Sequence, residues 1–316
     1  MNKIEFIFSR IKYRTNLILA KKDDVILPLS GETPLDISNS AVIPFDGIAL
    51  GGDLIALRTS LNPLFLSYQL SGKRKLQIAR LAQGKSVVHS NPNLLMNLWI
   101  FYPSKNEQNK IAQTLLFISK KIELINRKVK VLKKYRKGII DIWFKNVGKA
   151  VKLCELVIQQ TSQLLTHQIK DNFGNYPVYD ASGNIYKSVD FYMNPNNSIA
   201  IIKYGSGCGR TFIAYNRHSV LGTMSELVPL NSDDLTYIFA FTESTIFKKI
   251  CKNYIEVGTT PNLYYSDYST VMVYYPDKRK DFSSLLDLIN KKCIKLEKEK
   301  ENLNKLKQQL LKDMFI

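Results

Sequence analysis

An internal repeat constrains this chain more than any other feature. Residues 106–144 and residues 281–315 each have the pattern of a long amphipathic helix, and the two stretches match along their length. An apolar run that ends in Tyr-Pro precedes each helix, at Tyr102–Pro103 and again at Tyr275–Pro276. The repeat unit is therefore loop, strand, proline and long helix, and the sequence predicts a duplicated protein. The matching landmarks in the helices are Lys120–Lys121 with Lys291–Lys292, Ile139–Ile140 with Leu310–Leu311, and Trp143–Phe144 with Met314–Phe315.

Each predicted helix carries a narrow apolar seam. Its apolar residues recur mostly at steps of four and three, a pattern that favours a helical partner over a globular core. The first helix is strongly basic, whereas the second alternates lysine with acidic residues, so opposite charges flank the seam and favour pairing of the two helices with each other. The seam residues are Ile118, Ile122, Ile125, Leu132 and Ile139 in the first helix, and Ile289, Cys293, Leu296, Leu303 and Leu310 in the second.

The repeat divides the chain into two globular segments and two helices. We predict a first domain at residues 1–104, a central helix at 105–148, a second domain at 149–278 and a C-terminal helix at 279–316. The predicted fold class is α+β: two mixed α/β domains separated by two long helices, which form an antiparallel coiled coil with a pseudo-twofold repeat. Within the domains we predict strands at 25–29, 41–44, 54–58, 98–102, 198–204, 211–215 and 271–275, helices at 63–70, 73–81 and 235–254, and loops at 84–93 and 257–262.

The charge balance points to a polyanionic partner. The formal net charge is +18 and the isoelectric point is near 9.6. Clustered cations favour a phosphate backbone because neutralising phosphates releases counterions. Nucleic acid is therefore the expected partner, and the alternative is that the charge only reflects a lysine-rich proteome.

Cysteine spacing and hydropathy bear on several other classes of protein. The four cysteines lie far apart with no C-x-x-C pair, so neither a zinc site nor a disulfide framework is predicted. No apolar stretch approaches the length that crosses a bilayer, and the N-terminus is a poor signal peptide. We expect a cytoplasmic protein with no membrane partner.

No motif in the sequence points to catalysis, a metal or a cofactor. Gly84-Lys85-Ser86 lacks the earlier glycine and the preceding strand of a phosphate-binding loop. The stretch 205–210 begins like a dinucleotide-binding loop, but Arg210 replaces its last glycine, so a hairpin-like turn that presents Arg210 is the better interpretation. The three histidines have no short spacing to one another. We therefore predict that the chain is not an enzyme.

The predicted loops are rich in residues that bind phosphates and base edges. For any one of them, the alternative is a merely solvated loop residue. The candidate DNA contacts are Lys85, Ser86 and His89 in the first domain, and Lys203, Tyr204, Ser206, Arg210, Thr259, Thr260 and Asn262 in the second.

The helices and several loop phrases resemble one known family. The stretch NEQNKIAQTLLFISKKIELINRKVKVLKKYRKGIIDIWF from Asn106 resembles the central conserved helix of the specificity (S) subunits of type I restriction-modification enzymes. Residues 281–316 resemble their C-terminal conserved helix, and the resemblance covers nearly the whole chain. Phrases similar to those of the family's target-recognition domains are YPVYDASGNIYKSVDFY from Tyr176, IIKYGSGCGR from Ile201 and VGTTPNLYYSD from Val257.

The resemblance implies a function and partners. Each target-recognition domain would read one half of a bipartite double-stranded DNA sequence, and the paired helices would fix the gap between the halves. Two adenine-methylating modification subunits would dock on the helices, and ATP-driven restriction subunits would join a larger assembly. The chain itself would then need no catalytic motif.

The first domain departs from the family pattern. It is shorter than the second at its N-terminal end and lacks a counterpart of VKLCELVIQQ, which starts at Val151. The domain is then truncated, completed by another chain or trimmed by gene rearrangement. The alternative function that follows is an assembly or interaction protein, which occupies modification subunits without full bipartite reading of DNA.

Overall fold

The fold is given by a computed structural model, which describes the backbone of residues 5–9 and, in full, residues 18–84, 86–146, 148–169, 173–255 and 261–315. The chain forms two compact units. Unit 1 consists of residues 1–128 and 296–316, and unit 2 of residues 129–295. Each unit therefore combines one globular segment with a part of both long helices.

Unit 1 is built on a four-stranded antiparallel sheet of order β1-β7-β3-β5. Its core lies between this sheet and the first helix, where Val25, Ile55 and Leu66 are fully buried. That helix begins after Asn62, whose side chain accepts a hydrogen bond from the Phe65 amide. The elements are β1 Glu5–Ser9, β2 Leu19–Ala20, β3 Val25–Pro28, β4 Ser30–Gly31, β5 Ala41–Val42, β6 Ile48–Ala49, β7 Leu54–Arg58, α1 Pro63–Ser71, α2 Lys75–Ala79, β8 Ala82–Gln83, β9 Val88–Ser90 and α3 Pro92–Leu95.

Unit 2 repeats this design in a larger form. Its main sheet is also antiparallel, with order β11-β17-β14-β15. A second sheet has the order β13-β12-β16, with β12 in the middle. The elements are β10 Ala150–Lys152, β11 Val157–Thr161, β12 Tyr176–Tyr179, β13 Ile185–Val189, β14 Ser198–Ile202, β15 Thr211–Ala214, β16 Ser219–Val220, β17 Met224–Pro229, α5 Leu235–Glu243, α6 Thr245–Tyr254, α7 Tyr265–Tyr268 and β18 Met272–Tyr274.

The two long helices are α4, Lys105–Trp143, and α8, Arg279–Asp313. In unit 1, the start of α4 packs against the end of α8 through Leu115 and Phe315, and Lys121 forms an ion pair with Glu299 at 2.9 Å. In unit 2, the end of α4 packs against the start of α8, where the Trp143 and Phe282 rings stack at 4.2 Å. Within each unit the helices therefore run antiparallel, as predicted.

The predicted seam residues lie on the buried side of these helices. Ile118, Ile125, Ile289, Cys293 and Leu296 are buried. The other five predicted seam residues, Ile122, Leu132, Ile139, Leu303 and Leu310, are half-buried. A seam spaced at three and four residues stays on one side of a helix, which is why burial follows the sequence pattern so closely.

The main sheets of the two units have the same arrangement of strands, which shows which strands of unit 1 correspond to those of unit 2. Strand β1 pairs with β7 as β11 pairs with β17, so β1 takes the place of β11. The expectation that unit 1 lacks the whole stretch from Val151 is therefore wrong in part. Of the stretch that starts at Val151, β10 is the strand without a counterpart among the described residues of unit 1.

Three sequence predictions of local structure are also wrong. No strand forms at 98–102. The matching strand of unit 2, β18, pairs with β10, and unit 1 has no described strand in the position of β10. The predicted loop 84–93 contains β9, which pairs with both β4 and β8. The predicted helix 235–254 is broken at Ser244, which has extended backbone and caps α6 by accepting from the Phe247 amide. Across the described residues, no helix is both long and apolar enough to cross a bilayer.

Candidate nucleic-acid interface

The turn between β14 and β15 in unit 2 carries four of the ten predicted contacts. Strand β14 runs antiparallel to β15, and the turn closes with two hydrogen bonds, from the Ile202 amide to the Arg210 carbonyl and from the Gly209 amide to the Ile202 carbonyl. Further bonds inside the turn join the Cys208 amide to the Gly205 carbonyl at 3.0 Å and the Arg210 amide to the Gly207 carbonyl at 3.0 Å. The structure thus has the hairpin-like turn that the sequence predicted at this place.

The side chains of this turn present donors and an aromatic ring to solvent. Tyr204, Ser206 and Arg210 are exposed, and the Arg210 Nε donates to the Gly207 carbonyl at 3.4 Å. Lys203 is half-buried, with its Nζ 5.3 Å from the centre of the Tyr204 ring. Burial lowers the pKa of Lys203, so this lysine loses its charge at a lower pH than an exposed lysine does. Burial also raises the pKa of the Cys208 thiol, which donates to the Lys203 carbonyl at 3.1 Å.

A second chain segment lies directly against the turn. The Gly205 amide donates to the Pro261 carbonyl at 2.9 Å, the Leu263 amide donates to the Lys203 carbonyl at 3.0 Å, and Tyr204 forms an antiparallel bridge with Asn262. The Asn262 Oδ1 is buried and has no donor in the described part of the chain. The structure thus brings Lys203, Tyr204, Ser206, Arg210 and Asn262 together, whereas Thr259 and Thr260 lie outside the described residues.

Unit 1 holds the matching arrangement in reduced form. Ser30 of β4 pairs with His89 of β9, as Tyr204 pairs with Asn262 in unit 2. His89 and Ser86 are exposed, and Lys85 lies outside the described residues. Gly84 starts the turn at a φ of +120°, where an added Cβ would come within 2.2 Å of the Val87 carbonyl oxygen, so only glycine fits there.

Sequence reasoning missed a polar groove of about 490 Å³ in unit 2. It is lined by Tyr176 and Arg217, among others. The Arg217 guanidinium lies 5.2 Å from the centre of the Tyr192 ring, and the hydrogen bond that it donates to the Tyr176 side chain raises the pKa of Arg217. An arginine beside aromatic rings can bind a nucleotide by cation–π contact and stacking. The residues that line this groove lie too far apart in the sequence to form a motif. The density of aromatic residues in 176–192 was the available signal.

A buried polar network lies beneath one end of this groove. Glu226 Oε1 accepts from Ser198 Oγ at 2.6 Å and from Asn194 Nδ2 at 3.0 Å, and it lies 2.5 Å from His218 Nε2. Asn216, which lines the groove, accepts from His218 Nδ1 through its carbonyl at 2.8 Å. The network therefore connects the backbone of Asn216, in the groove wall, to β14 and β17 through hydrogen bonds.

This Ser-His-Glu cluster is not arranged as a catalytic triad. In a triad the carboxylate binds the ring nitrogen opposite the one that faces the serine, whereas here Ser198 and Glu226 share His218 Nε2. Ser198 and His218 are fully buried, and only 3% of Glu226 is exposed. Without access for a substrate, the cluster has a structural role. Among the described residues, no group of histidine, cysteine and acidic side chains could hold a metal ion.

Gly209 provides a direct test of the turn geometry. Its φ is +80°, and an added Cβ would contact the Cys251 side chain at 3.4 Å. We expect Gly209→Ala to lower the free energy of unfolding by about 1 kcal/mol, because alanine is strained at positive φ. Thermal denaturation would measure this. Gly51→Ala is the matched control, since an added Cβ has no neighbour within 4 Å there and its φ is not positive. An equal loss in both variants would contradict the turn geometry.

Comparison with solved structures identifies the fold. The crystal structure of the type I restriction-modification system S subunit from M. genitalium matches with a TM-score of 0.70 and 17% sequence identity, over 99% of this chain and 94% of that one. The chain has the fold of a type I restriction-modification S subunit. A second structure, from work on complex assembly and conformational transition of the type I restriction-modification system, matches with a TM-score of 0.57 and 17% identity, over 93% of this chain and 82% of that one.

The other comparisons found nothing similar. No family model matches the sequence, and no curated protein matches it. At 17% identity the likeness of the S subunits lies in the architecture, which extends over nearly the whole chain and includes both long helices. The resemblance that the helix motifs suggested is therefore confirmed at the level of the fold.

Proposed function

We propose that the chain is a non-catalytic DNA-recognition subunit of a type I restriction-modification complex. The observation that carries the proposal is the duplicated design: two units with the same sheet order, each presenting polar side chains at matching turns, on a chain of net charge +18. Full-length likeness to S subunits supports the same function. Each unit reads one half of a bipartite target, with base edges contacted by loop side chains and phosphates by lysine and arginine.

The chemistry on DNA then belongs to partners. Adenine-methylating modification subunits dock on the paired helices and act at the site that this chain selects, and ATP-dependent restriction subunits join them. The basic face of α4 supplies charge for a partner or for DNA, since Lys130 and Lys134 are exposed there. The complex works in the cytoplasm, where the DNA is.

Methylome sequencing tests this proposal. We expect deletion of the gene to abolish adenine methylation at one bipartite sequence, because the modification subunits lose the component that selects the site. Complementation with the gene should restore the same sequence. An unchanged methylome in a strain whose modification subunits remain expressed would contradict the proposal.

A second candidate function is an assembly protein that binds modification subunits without full reading of DNA. It is favoured by the reduced unit 1, in which no described strand replaces β10. Gel filtration with the modification subunit, followed by retention on DNA that carries the methylated sequence, separates the two functions. The complex of a recognition subunit binds DNA with the methylated sequence more tightly than DNA with a scrambled sequence. The complex of an assembly protein forms as well but shows no preference between the two DNA sequences.

A further inference from the structure

One segment of unit 1 follows the course of a strand in unit 2 but lacks its partner. Residues 98–103, LWIFYP, align with residues 271–276, VMVYYP, and α3 precedes the first as α7 precedes the second. The Leu98 amide donates to the Leu95 carbonyl at 3.2 Å, and the Val271 amide donates to the Tyr268 carbonyl at the same distance. The two segments therefore leave their short helices in the same way.

In unit 2, the chain itself covers this segment. Strand β10 pairs with β18 so that Val151 lies opposite Val273 and Lys152 opposite Met272. The flanking bonds, from the Tyr275 amide to the Lys149 carbonyl and from the Leu153 amide to the Val271 carbonyl, extend the ladder on both sides. Because hydrogen-bonded pairs alternate along an antiparallel ladder, Val151 and Val273 exchange both of their backbone bonds.

In unit 1, no described strand pairs with the same edge. The amides of Ile100 and Tyr102, which match Val273 and Tyr275, have no acceptor among the described residues. The carbonyl of Phe101, by contrast, accepts from the buried Gln69 Nε2 at 2.7 Å. Neighbouring backbone groups point to opposite sides of an extended segment, so the bond at Phe101 anchors one edge to unit 1 and leaves the amides of Ile100 and Tyr102 on the other.

The open edge is also apolar. Trp99 is 74% exposed and Phe101 is 56% exposed. Phe101 also lines a groove of about 520 Å³. The groove lies wholly within unit 1, and its other apolar lining residues are Phe65, Tyr102, Pro103, Ile111, Met314 and Phe315. Exposed apolar surface next to unpaired backbone groups is the combination that binds an added strand.

We propose that residues Leu98–Tyr102 accept an extended peptide strand from another polypeptide, in the register that β10 has with β18. The occupant has the chemistry of residues 149–154: an apolar side chain opposite Ile100 and a basic one opposite Trp99, where a cation can lie against the indole ring. The molecule's own β10 shows what the matching edge of unit 2 binds, and that strand is already paired there. This inference does not depend on DNA recognition.

A peptide from the chain itself is the probe. Full-length protein is mixed with a synthetic peptide of residues 148–156 that carries Cys154→Ser, which prevents formation of a disulfide with the protein's free cysteines. We expect one peptide to bind per chain, with a blue shift of Trp99 fluorescence and slower hydrogen exchange at the amides of Ile100 and Tyr102. Fluorescence anisotropy of a labelled peptide gives the affinity. No binding, or protection at Val273 instead of Ile100, overturns the proposal.

Backbone N-methylation of the peptide distinguishes binding by strand pairing from binding by apolar side-chain contact alone. N-methylation at Val151 removes a donor that the register directs at the Ile100 carbonyl, so we expect affinity to fall about tenfold or more. N-methylation at Lys152, whose amide faces away from the partner strand, is the matched control and should change affinity less than about twofold. Equal effects of the two methyl groups contradict the pairing.

Protein variants locate the peptide on unit 1. Trp99→Phe should abolish the fluorescence shift while retaining peptide binding by anisotropy. Met272→Ala, at the matching exposed position of unit 2, should change neither the shift nor the affinity. Light scattering tests whether a second copy of this chain occupies the edge. If the chain forms a dimer and the peptide dissociates it, a second copy fills the edge, and the proposal of a different partner is overturned.

Discussion

Glu226→Ala is expected to lower the free energy of unfolding by about 3–5 kcal/mol, because it removes one partner of a buried, hydrogen-bonded pair. The His218 Nδ1 must carry a hydrogen, since the Asn216 carbonyl at 2.8 Å can only accept. One proton must then lie between His218 Nε2 and Glu226 Oε1 at 2.5 Å. Removing the carboxylate leaves the buried ring nitrogen, Ser198 and Asn194 without that acceptor.

Chemical denaturation followed by circular dichroism measures this loss. Glu226→Gln keeps an acceptor for Ser198 and Asn194 and fills the same volume, so we expect it to cost less than the alanine variant. The exposed Glu155, also in unit 2, provides the control, and Glu155→Ala should change stability by no more than about 0.5 kcal/mol. If Glu226→Ala behaved like Glu155→Ala, the network would not stabilise unit 2.

The same network shows why part of the site could not be predicted. Ser198, His218 and Glu226 are polar residues on strands or in a turn, and nothing in their spacing marks them as neighbours. They meet because β14 pairs with β17 and because His218 forms a bridge with Asn194, contacts that are set by the tertiary fold. Unit 1 has a different polar contact at its sheet, in which the half-buried Arg58 donates from Nε to Oδ1 of the buried Asp24 at 2.8 Å. A repeat in the fold therefore need not repeat its polar contacts.

Local periodicity, by contrast, determined what could be predicted. The helix seam was readable because each residue's burial depends on its position around one helix, and every predicted seam residue is buried or half-buried. Strands were also found within 25–29 and 198–204, since a continuous apolar run followed by turn residues marks each of them. A strand at 98–102 was wrongly predicted because its sequence has the pattern of a strand but pairing needs a second strand.

The turn between β14 and β15 was predictable in part. Glycines at 205, 207 and 209 marked a turn, and Gly205 and Gly209 do adopt positive φ. The sequence also placed Lys203 and Arg210 at its two ends. It did not show that Asn262, far along the chain, forms a bridge with Tyr204 and adds a buried oxygen that has no donor within the described part of the chain. The candidate site was thus found by local pattern, and its full composition required the fold.

Arg210→Ala is expected to weaken binding to the specific DNA by about 1–3 kcal/mol, roughly 5- to 150-fold, if the guanidinium contacts a base edge as we propose. Arg210 is exposed at the end of a turn whose backbone is fixed by four hydrogen bonds, so its loss should not disturb the fold. Binding is measured by anisotropy with the complex of this chain and its modification subunits, on the methylated sequence and on a scrambled one.

Arg210→Lys distinguishes the two kinds of contact. A lysine retains the charge but not the planar fork, so it should restore binding to phosphate and not the preference among bases. Lys292→Ala removes the same charge from an exposed position on α8 and is the control for net charge. If Arg210→Ala and Lys292→Ala weakened binding to both DNA sequences equally, Arg210 would contribute only charge. The methylated sequence should change only in the half that unit 2 reads, because Arg210 belongs to that unit.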